Sequence, residues 1–260
     1  VLNDVVGWAL HSPLLVPYHA WRVSHGHHHA NTCSMENDEV FVPPEEEEGE
    51  QESEAPIAGL WRLFRYLAVG WISYLFFNAT GPAKYEGKPR SHWNPESALF
   101  RKKDAFGIWT GNVGVLMMLA LLVFLGSRVV GWPVLFTYYV GPWLWCNAHL
   151  VIVTWLQHSD VYVPHFRRKE WTWLRGALCT VDRSWGTHLD NTMHLITSHH
   201  VCHHIFSTMP FYHHREATEA LKPILGSYYM FDPTPIPQAL MRVATKCNVV
   251  EKTGDIVYYK

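Results

Sequence analysis

The chain has no charge excess and lacks most of the motifs that mark common enzyme classes. Its 260 residues carry 21 Lys and Arg against 23 Asp and Glu, a net charge of −2, so nothing points to nucleic acid as a partner. There is no nucleotide-binding glycine motif, no flavin or haem motif, and no repeat of domain scale. EF-hand spacing is absent, as is the paired Glu-x-x-His pattern of soluble di-iron bundles. The five cysteines (Cys33, Cys146, Cys179, Cys202, Cys247) are odd in number and form no C-x-x-C pair, which reads as reduced thiols rather than a disulfide framework.

Histidine and aromatic residues are abundant instead: 18 His, 13 Trp, 12 Tyr and 12 Phe. Two histidine clusters share one spacing. His25-Gly26-His27-His28-His29 and His200-Val201-Cys202-His203-His204 both contain H-x-x-H-H. On a helix, positions i, i+3 and i+4 lie on one face, so each cluster is expected to aim three imidazoles at one point. Six nitrogen ligands suit a transition metal rather than calcium or magnesium. One such motif alone is as easily chance as a site; two copies flanking long apolar segments favour metal.

Residues 105–125 are uncharged, and residues 132–157 are uncharged with one histidine. Each is long enough for a bilayer span of roughly 20 residues, and the six residues between them allow only a tight hairpin. Arg101-Lys102-Lys103 precede the first span and Arg167-Arg168-Lys169 and Arg175 follow the second. The positive-inside rule then places both outer ends, and both histidine clusters, in the cytosol. Residues 5–18 and 57–79 read as interfacial or half-buried helices, a full span over 66–80 being the weaker reading. The acidic run within residues 44–56 reads as a flexible solvated loop and residues 232–260 as a cytosolic tail. The expected fold is mainly α: an integral membrane helical protein with a transmembrane hairpin over 105–157, interfacial helices and a cytosolic histidine-rich cap, all in one domain over 1–260, with 158–260 as its cytosolic C-terminal part.

The two boxes and their flanks resemble the membrane-bound fatty acid desaturase family, of the microsomal delta-12 type. Matching stretches include Leu14-Leu15-Val16-Pro17-Tyr18, Asn37-Asp38-Glu39-Val40-Phe41-Val42-Pro43, Trp173-Leu174-Arg175-Gly176-Ala177 and Phe206-Ser207-Thr208-Met209-Pro210. The family has a further box, resembling H-E-C-G-H, expected just upstream of Val1, so the chain reads as an N-terminally truncated fragment. The resemblance implies removal of two hydrogens from adjacent methylenes. Alkane C–H bonds are neither acidic nor polar, so this needs an oxidant made from dioxygen at a redox-active metal. It also implies two irons on His25, His28, His29, His200, His203 and His204. His158, after Trp155-Leu156-Gln157, joins them by resemblance and by its position at the end of a span. His194 is a weaker candidate, and Asp160 and Asp190 are conjectured to orient ligand imidazoles. Trp143, Trp145 and Tyr139 are candidate walls of an acyl tunnel. The implied partners are a fatty acyl lipid, cytochrome b5 and NADH-cytochrome b5 reductase, in a multi-pass protein of the endoplasmic reticulum. An omega-3 desaturase, a hydroxylase or acetylenase of the same family, and a histidine-rich metal transporter are the alternatives.

Overall fold

The computed structural model describes residues 1–47 and 54–260; residues 48–53, the middle of the predicted acidic loop, lie outside the described residues. The described residues are mainly helical. In chain order the helices are α1 (Leu2–His11), α2 (Tyr18–Asn31), α3 (Pro56–Phe77), α4 (Ala105–Phe124), α5 (Trp132–Leu135), α6 (Gly141–His158), α7 (Trp173–Leu178), α8 (Thr187–Thr192), α9 (His200–Ile205), α10 (His214–Leu225) and α11 (Ile236–Lys246). Two short strands, β1 (His165–Phe166) and β2 (Ile256–Val257), pair antiparallel with His165 opposite Val257.

Among the described residues one helical run is long and apolar enough to cross a membrane, Lys102–Val129, with mean hydropathy 2.1. Its outward face carries Phe106, Trp109, Leu116 and Met117, all more than half exposed, which water would penalise and lipid would not. Its inward face carries Ile108, Val115 and Leu122 and, among them, two glycines. Gly111 lies where a Cβ would sit 3.4 Å from the Pro17 carbonyl carbon, and a Cβ on Gly114 would collide with Ser12 and come within 2.6 Å of the Trp8 indole nitrogen. Such close approach is how helices associate where lipid removes the hydrophobic drive. The Trp8 indole N–H donates to the Thr110 carbonyl at 2.8 Å and fixes α1 against this face.

The second apolar segment is less uniform than the sequence suggests. The helix runs through α5, a π-helical turn over Phe136–Val140, and α6. Gly141-Pro142 follow directly on that turn, so the missing proline N–H is absorbed by a local change of winding rather than by a break. Along α6 burial changes sharply: Leu144 and Trp145 are exposed, whereas Trp155, Leu156, Gln157 and His158 are buried.

Helix α3 lies along α6 antiparallel, with Tyr66 stacked on Trp155 at 4.6 Å and Gly70 against Val151. Its 22 residues span about 33 Å. Pro56 opens it, and Asn78, in the left-handed conformation at φ 45°, closes it with its N–H on the Tyr74 carbonyl. Against the same helix packs α11, whose Ala239, Val243 and Ala244 are fully buried. Fully burying one valine contributes roughly 1.5–3 kcal/mol. The expectation of a tail over 232–260 is therefore corrected: this segment completes the core, with Val250 and Val257 beside Trp155 and Leu156, and β2 pairs back onto β1. Arg242 of α11 also joins a buried charge network, donating to Asp160 at 2.7 Å and to Asp232 at 2.5 Å, while the fully buried Arg183 donates to the same two carboxylates.

Candidate metal centre

Three helices deliver the histidines. Helix α2 carries His25, His28 and His29, α9 carries His200, His203 and His204, and His158 is the last residue of α6. The segment before α9 is held at several points. Asp182 accepts the Val201 N–H at 2.8 Å and the Tyr229 hydroxyl at 2.6 Å, and burial lifts its carboxyl to about 7. The Thr197 carbonyl accepts from Gln157 Nε2 at 2.7 Å and from the Arg183 N–H at 2.9 Å, which ties α9 to the residue preceding His158.

The rings form two groups, His25–His29–His203 and His28–His158–His204, with the ring nitrogens of each group within 4.8 Å of one another. His200 adjoins the second, its Nε2 3.0 Å from His158 Nε2 and 3.1 Å from His204 Nε2. The expectation that each box aims at one point is thus corrected. Each box gives its i, i+4 pair to one group and its i+3 ring to the other. At 100° per residue, i+3 and i+4 splay to opposite sides of position i, so one box cannot close on one point. The two groups touch: His29 of the first stacks on His204 of the second at 4.2 Å.

The proton positions in the second group can be worked out from its partners. His200 Nδ1 lies 2.9 Å from the Ile196 carbonyl, which only accepts, so Nδ1 carries the proton. His28 Nδ1 lies 2.6 Å from the Asp38 carboxylate, which also accepts the Cys33 and Val40 N–H groups. His204 Nδ1 lies 3.1 Å from the Thr32 hydroxyl, whose own proton is donated to the His28 carbonyl at 2.8 Å, so Nδ1 must donate here too. In the neutral ring each of these three histidines therefore presents a bare Nε2 lone pair inward. The His200–His204 approach at 3.1 Å is then no hydrogen bond but two lone pairs facing each other in a buried space. A cation between them removes that repulsion, and the donor set of neutral imidazoles fits a transition metal.

Charge does not accumulate on the rings to spoil this. Burial first, then neighbouring histidines, hold His25 at about 3, His29 at about 2 and His203 at about 3. Burial and neighbours push His200 and His204 well below the ordinary histidine value. Neutral imidazole is the form that binds metal.

Comparison with known proteins agrees. Residues 1–234 match the family described as fatty acid desaturase. The chain is 43% identical over 279 residues to a protein of Mortierella alpina named Delta(12) fatty acid desaturase, covering all of this chain and 69% of that protein. It is 41% identical to one of Trichosanthes kirilowii named Delta(12)-oleate desaturase, covering all of this chain and 72% of that protein. A Dimorphotheca sinuata protein named Acyl-lipid (9+3)-(E)-desaturase is 38% identical, again over all of this chain and 69% of the relative.

The chain belongs to the fatty acid desaturase family. As a desaturase it carries both histidine boxes in one contiguous cluster with His158 between them. His194 stands apart: its backbone is left-handed at φ 55° and its ring packs on Phe211 at 4.3 Å. The conjectured orienting roles also fall elsewhere. Asp160 is engaged by Arg183 and Arg242, and Asp190 accepts from Ser184, the Trp185 N–H and Thr197. The carboxylate that does touch a ring of the cluster is Asp38. Its signal in the sequence is the family-like stretch Asn37-Asp38-Glu39-Val40.

A cavity of about 240 Å³ opens beside the first group, between α2, α3 and α6. Its walls are chiefly apolar and aromatic, among them Trp21, Val40, Phe41, Val69, Trp71 and Val151, and His25 lines one part of it. The suggested wall residues lie elsewhere: the Tyr139 hydroxyl donates to the Pro13 carbonyl, the Trp143 indole to the Leu14 carbonyl, and Trp145 is 70% exposed.

Proposed function

We propose that the chain inserts the delta-12 double bond into an oleoyl chain, giving linoleoyl, with His25, His29 and His203 holding one iron and His28, His158, His200 and His204 holding a second. The observation that carries this reading is the gathering of bare Nε2 lone pairs from both boxes in one buried group, where His200 and His204 lie 3.1 Å apart and His28 joins His204, beside an apolar cavity. The relatives named for delta-12 or oleate desaturation at 41–43% identity supply the substrate class. The balanced reaction converts –CH2–CH2–, dioxygen, two electrons and two protons into –CH=CH– and two waters. Bound iron supplies the one-electron chemistry that dioxygen requires and that zinc lacks.

The protein's own groups do the rest. Asp38, Thr32 and the Ile196 carbonyl keep the Nδ1 protons of His28, His204 and His200 in place, so their Nε2 atoms stay available as ligands. Trp21 stacks on His25 at 5.0 Å and meets Trp71 edge-on at 6.0 Å, so the three rings form one part of the cavity wall. An acyl chain lying there is held away from water and presented to the first group, and regioselectivity needs placement to about an ångström. Electrons come from cytochrome b5 and its NADH-dependent reductase. The protein resides in the endoplasmic reticulum membrane with α4 and the α5–α6 run as a hairpin and the metal site on the cytosolic side. Expression of the full-length protein in yeast, with fatty-acid profiling, tests this: linoleate from oleate is the expected product, whereas linolenate, ricinoleate or an unchanged profile refutes the assignment. Metal analysis of the purified protein should return iron rather than zinc.

A further inference from the structure

Cys33 and Cys179 stand 146 residues apart in the sequence and touch in the fold. The Cys33 thiol donates to the Cys179 carbonyl at 3.4 Å, and the two thiols are close enough to hydrogen-bond with each other. Both are buried, beside Val163, Phe166 and Val181. The elements that carry them are pressed together: the Trp171 indole donates to the Thr32 carbonyl at 2.9 Å, and a Cβ on Gly176 would collide with that same carbonyl. Cys33 itself is left-handed at φ 57°, a region that glycine enters freely and a side chain enters with strain. Filling an apolar gap requires no thiol, and strain of this kind persists where the side chain has a task.

The pair lies directly behind two supports of the metal centre. The Cys33 N–H donates to Asp38 at 2.7 Å, and Asp38 holds the His28 ring. The preceding residue, Thr32, accepts from His204 Nδ1 at 3.1 Å. On the cytosolic face, where the proposed topology puts this end of α2, thiols rest reduced and a disulfide is transient. A hydrogen bond to Cys179 and burial raise the Cys33 thiol well above its ordinary value, so Cys33 stays protonated at rest and the first attack on an oxidant falls to Cys179.

We propose that Cys33 and Cys179 form an oxidation site, closed to a disulfide by hydrogen peroxide, which staples the end of α2 to the end of α7. The Cys179 sulfur attacks one peroxide oxygen, the O–O bond breaks, and a sulfenic acid and water result. The Cys33 sulfur then displaces the hydroxyl, which leaves with the Cys33 proton as a second water while the S–S bond forms. Two thiols thus lose two electrons and two protons, and the peroxide gains both. The staple restrains Thr32 and Asp38 from behind, and reduction by a small thiol reopens it. None of this depends on which acyl chain the protein desaturates.

The test is peptide mapping of the purified full-length protein after treatment with hydrogen peroxide, with free thiols alkylated in denaturant and digestion without reduction. A crosslinked pair of peptides holding Cys33 and Cys179, lighter by two hydrogens and separated again by dithiothreitol, is the expected product. Cys202 and Cys247 are buried as well, and Cys202 lies between His200 and His203, so damage by bound metal or by unfolding reaches them too. Cys33 and Cys179 still free in excess peroxide overturn the proposal, as does sulfinic or sulfonic acid at either without the crosslink. The oxidised protein should melt on the order of 5 °C above the reduced one, because the bond closes a long loop. Cys33→Gly suits the backbone at φ 57° and should fold, and peroxide should leave its melting temperature unchanged. A peroxide-induced rise that persists in Cys33→Gly refutes the staple. Loss of iron to a chelator should slow about twofold or more in the oxidised protein, since the supports of His28 and His204 open less often. An equal rate in both forms refutes the link to the metal centre.

Discussion

Asp38 carries more of the site than its place in the sequence suggests. Its carboxylate accepts three donors, the His28 ring and the Cys33 and Val40 N–H groups, at 2.6, 2.7 and 3.2 Å. An asparagine has one acceptor oxygen for the same three donors, and its NH2 must face an N–H. Asp38→Asn should therefore loosen the His28 ring and weaken metal binding about 10–100-fold, with Asp38→Glu milder. Competition with a chelator measures this, and an unchanged affinity would show that His28 holds its orientation without the carboxylate. The low folded values at His25, His29 and His203 have a second consequence. In the unfolded chain these rings titrate near 6.5. A depressed folded value means that stability is full above about pH 6.5 and is lost as pH falls toward about 3, because only the unfolded chain takes up the protons. The metal-free protein should melt at clearly lower temperature at pH 5.0 than at pH 7.5; a flat profile would mean that the rings protonate in place. At this scale the boxes were legible in the sequence, because i, i+3, i+4 spacing defines a helix face. Their partners were not. Spacing says which residues share a face and nothing about which ring across a loop or helix will meet them, so the exchange of rings between boxes and the role of Asp38 emerge only in three dimensions.

Among the elements, α4 and α11 show opposite outcomes of sequence reading. Helix α4 falls within a charge-free run whose length gives it away. What the run does not advertise is its packing face, where Gly111 and Gly114 admit α1 and the Pro17-Tyr18 backbone. Gly114→Ala would drive a methyl group into Ser12 and Trp8, and overpacking of this kind costs about 1–3 kcal/mol. A lowered melting temperature in detergent is expected, with metal content per folded molecule unchanged, because α4 supplies no ring to the cluster. A melting temperature equal to wild type would place α1 elsewhere in solution. Helix α11 is legible in the sequence, although its segment reads as a tail. Ile236, Ala239, Leu240, Val243 and Ala244 follow i, i+3, i+4, i+7, i+8 spacing, an amphipathic stripe. The prolines at 233, 235 and 237 obscured it, although Pro237 falls in the first turn, where a helix tolerates the missing N–H.

The whole molecule is polarised. Exposed apolar side chains lie on α1, α3, α4 and the α5–α6 run as far as Trp145, while the inner end of α6 disappears among Trp155, Leu156 and the histidine cluster. A bilayer around the outer part would leave the metal cluster just beyond its edge, with the cavity between α3 and α6 beside His25. Cys146 reports on that arrangement. It is exposed on the outer half of α6, whereas Cys33, Cys179, Cys202 and Cys247 are buried, so a thiol-reactive nitroxide applied in detergent should attach once per chain. After reconstitution into vesicles, the hairpin reading requires this nitroxide to sit in hydrocarbon. Dissolved oxygen, which partitions into lipid, should then relax it far more strongly than a water-soluble nickel complex, which does not. If the nickel complex is the stronger relaxant, the outer half of α6 stands in water, α4 is left as a lone span, and the two ends of α4 must then face opposite sides of the membrane. The box on α2 and the box on α9 would be separated by that span, which their contact at 4.2 Å forbids unless the chain re-enters the bilayer elsewhere.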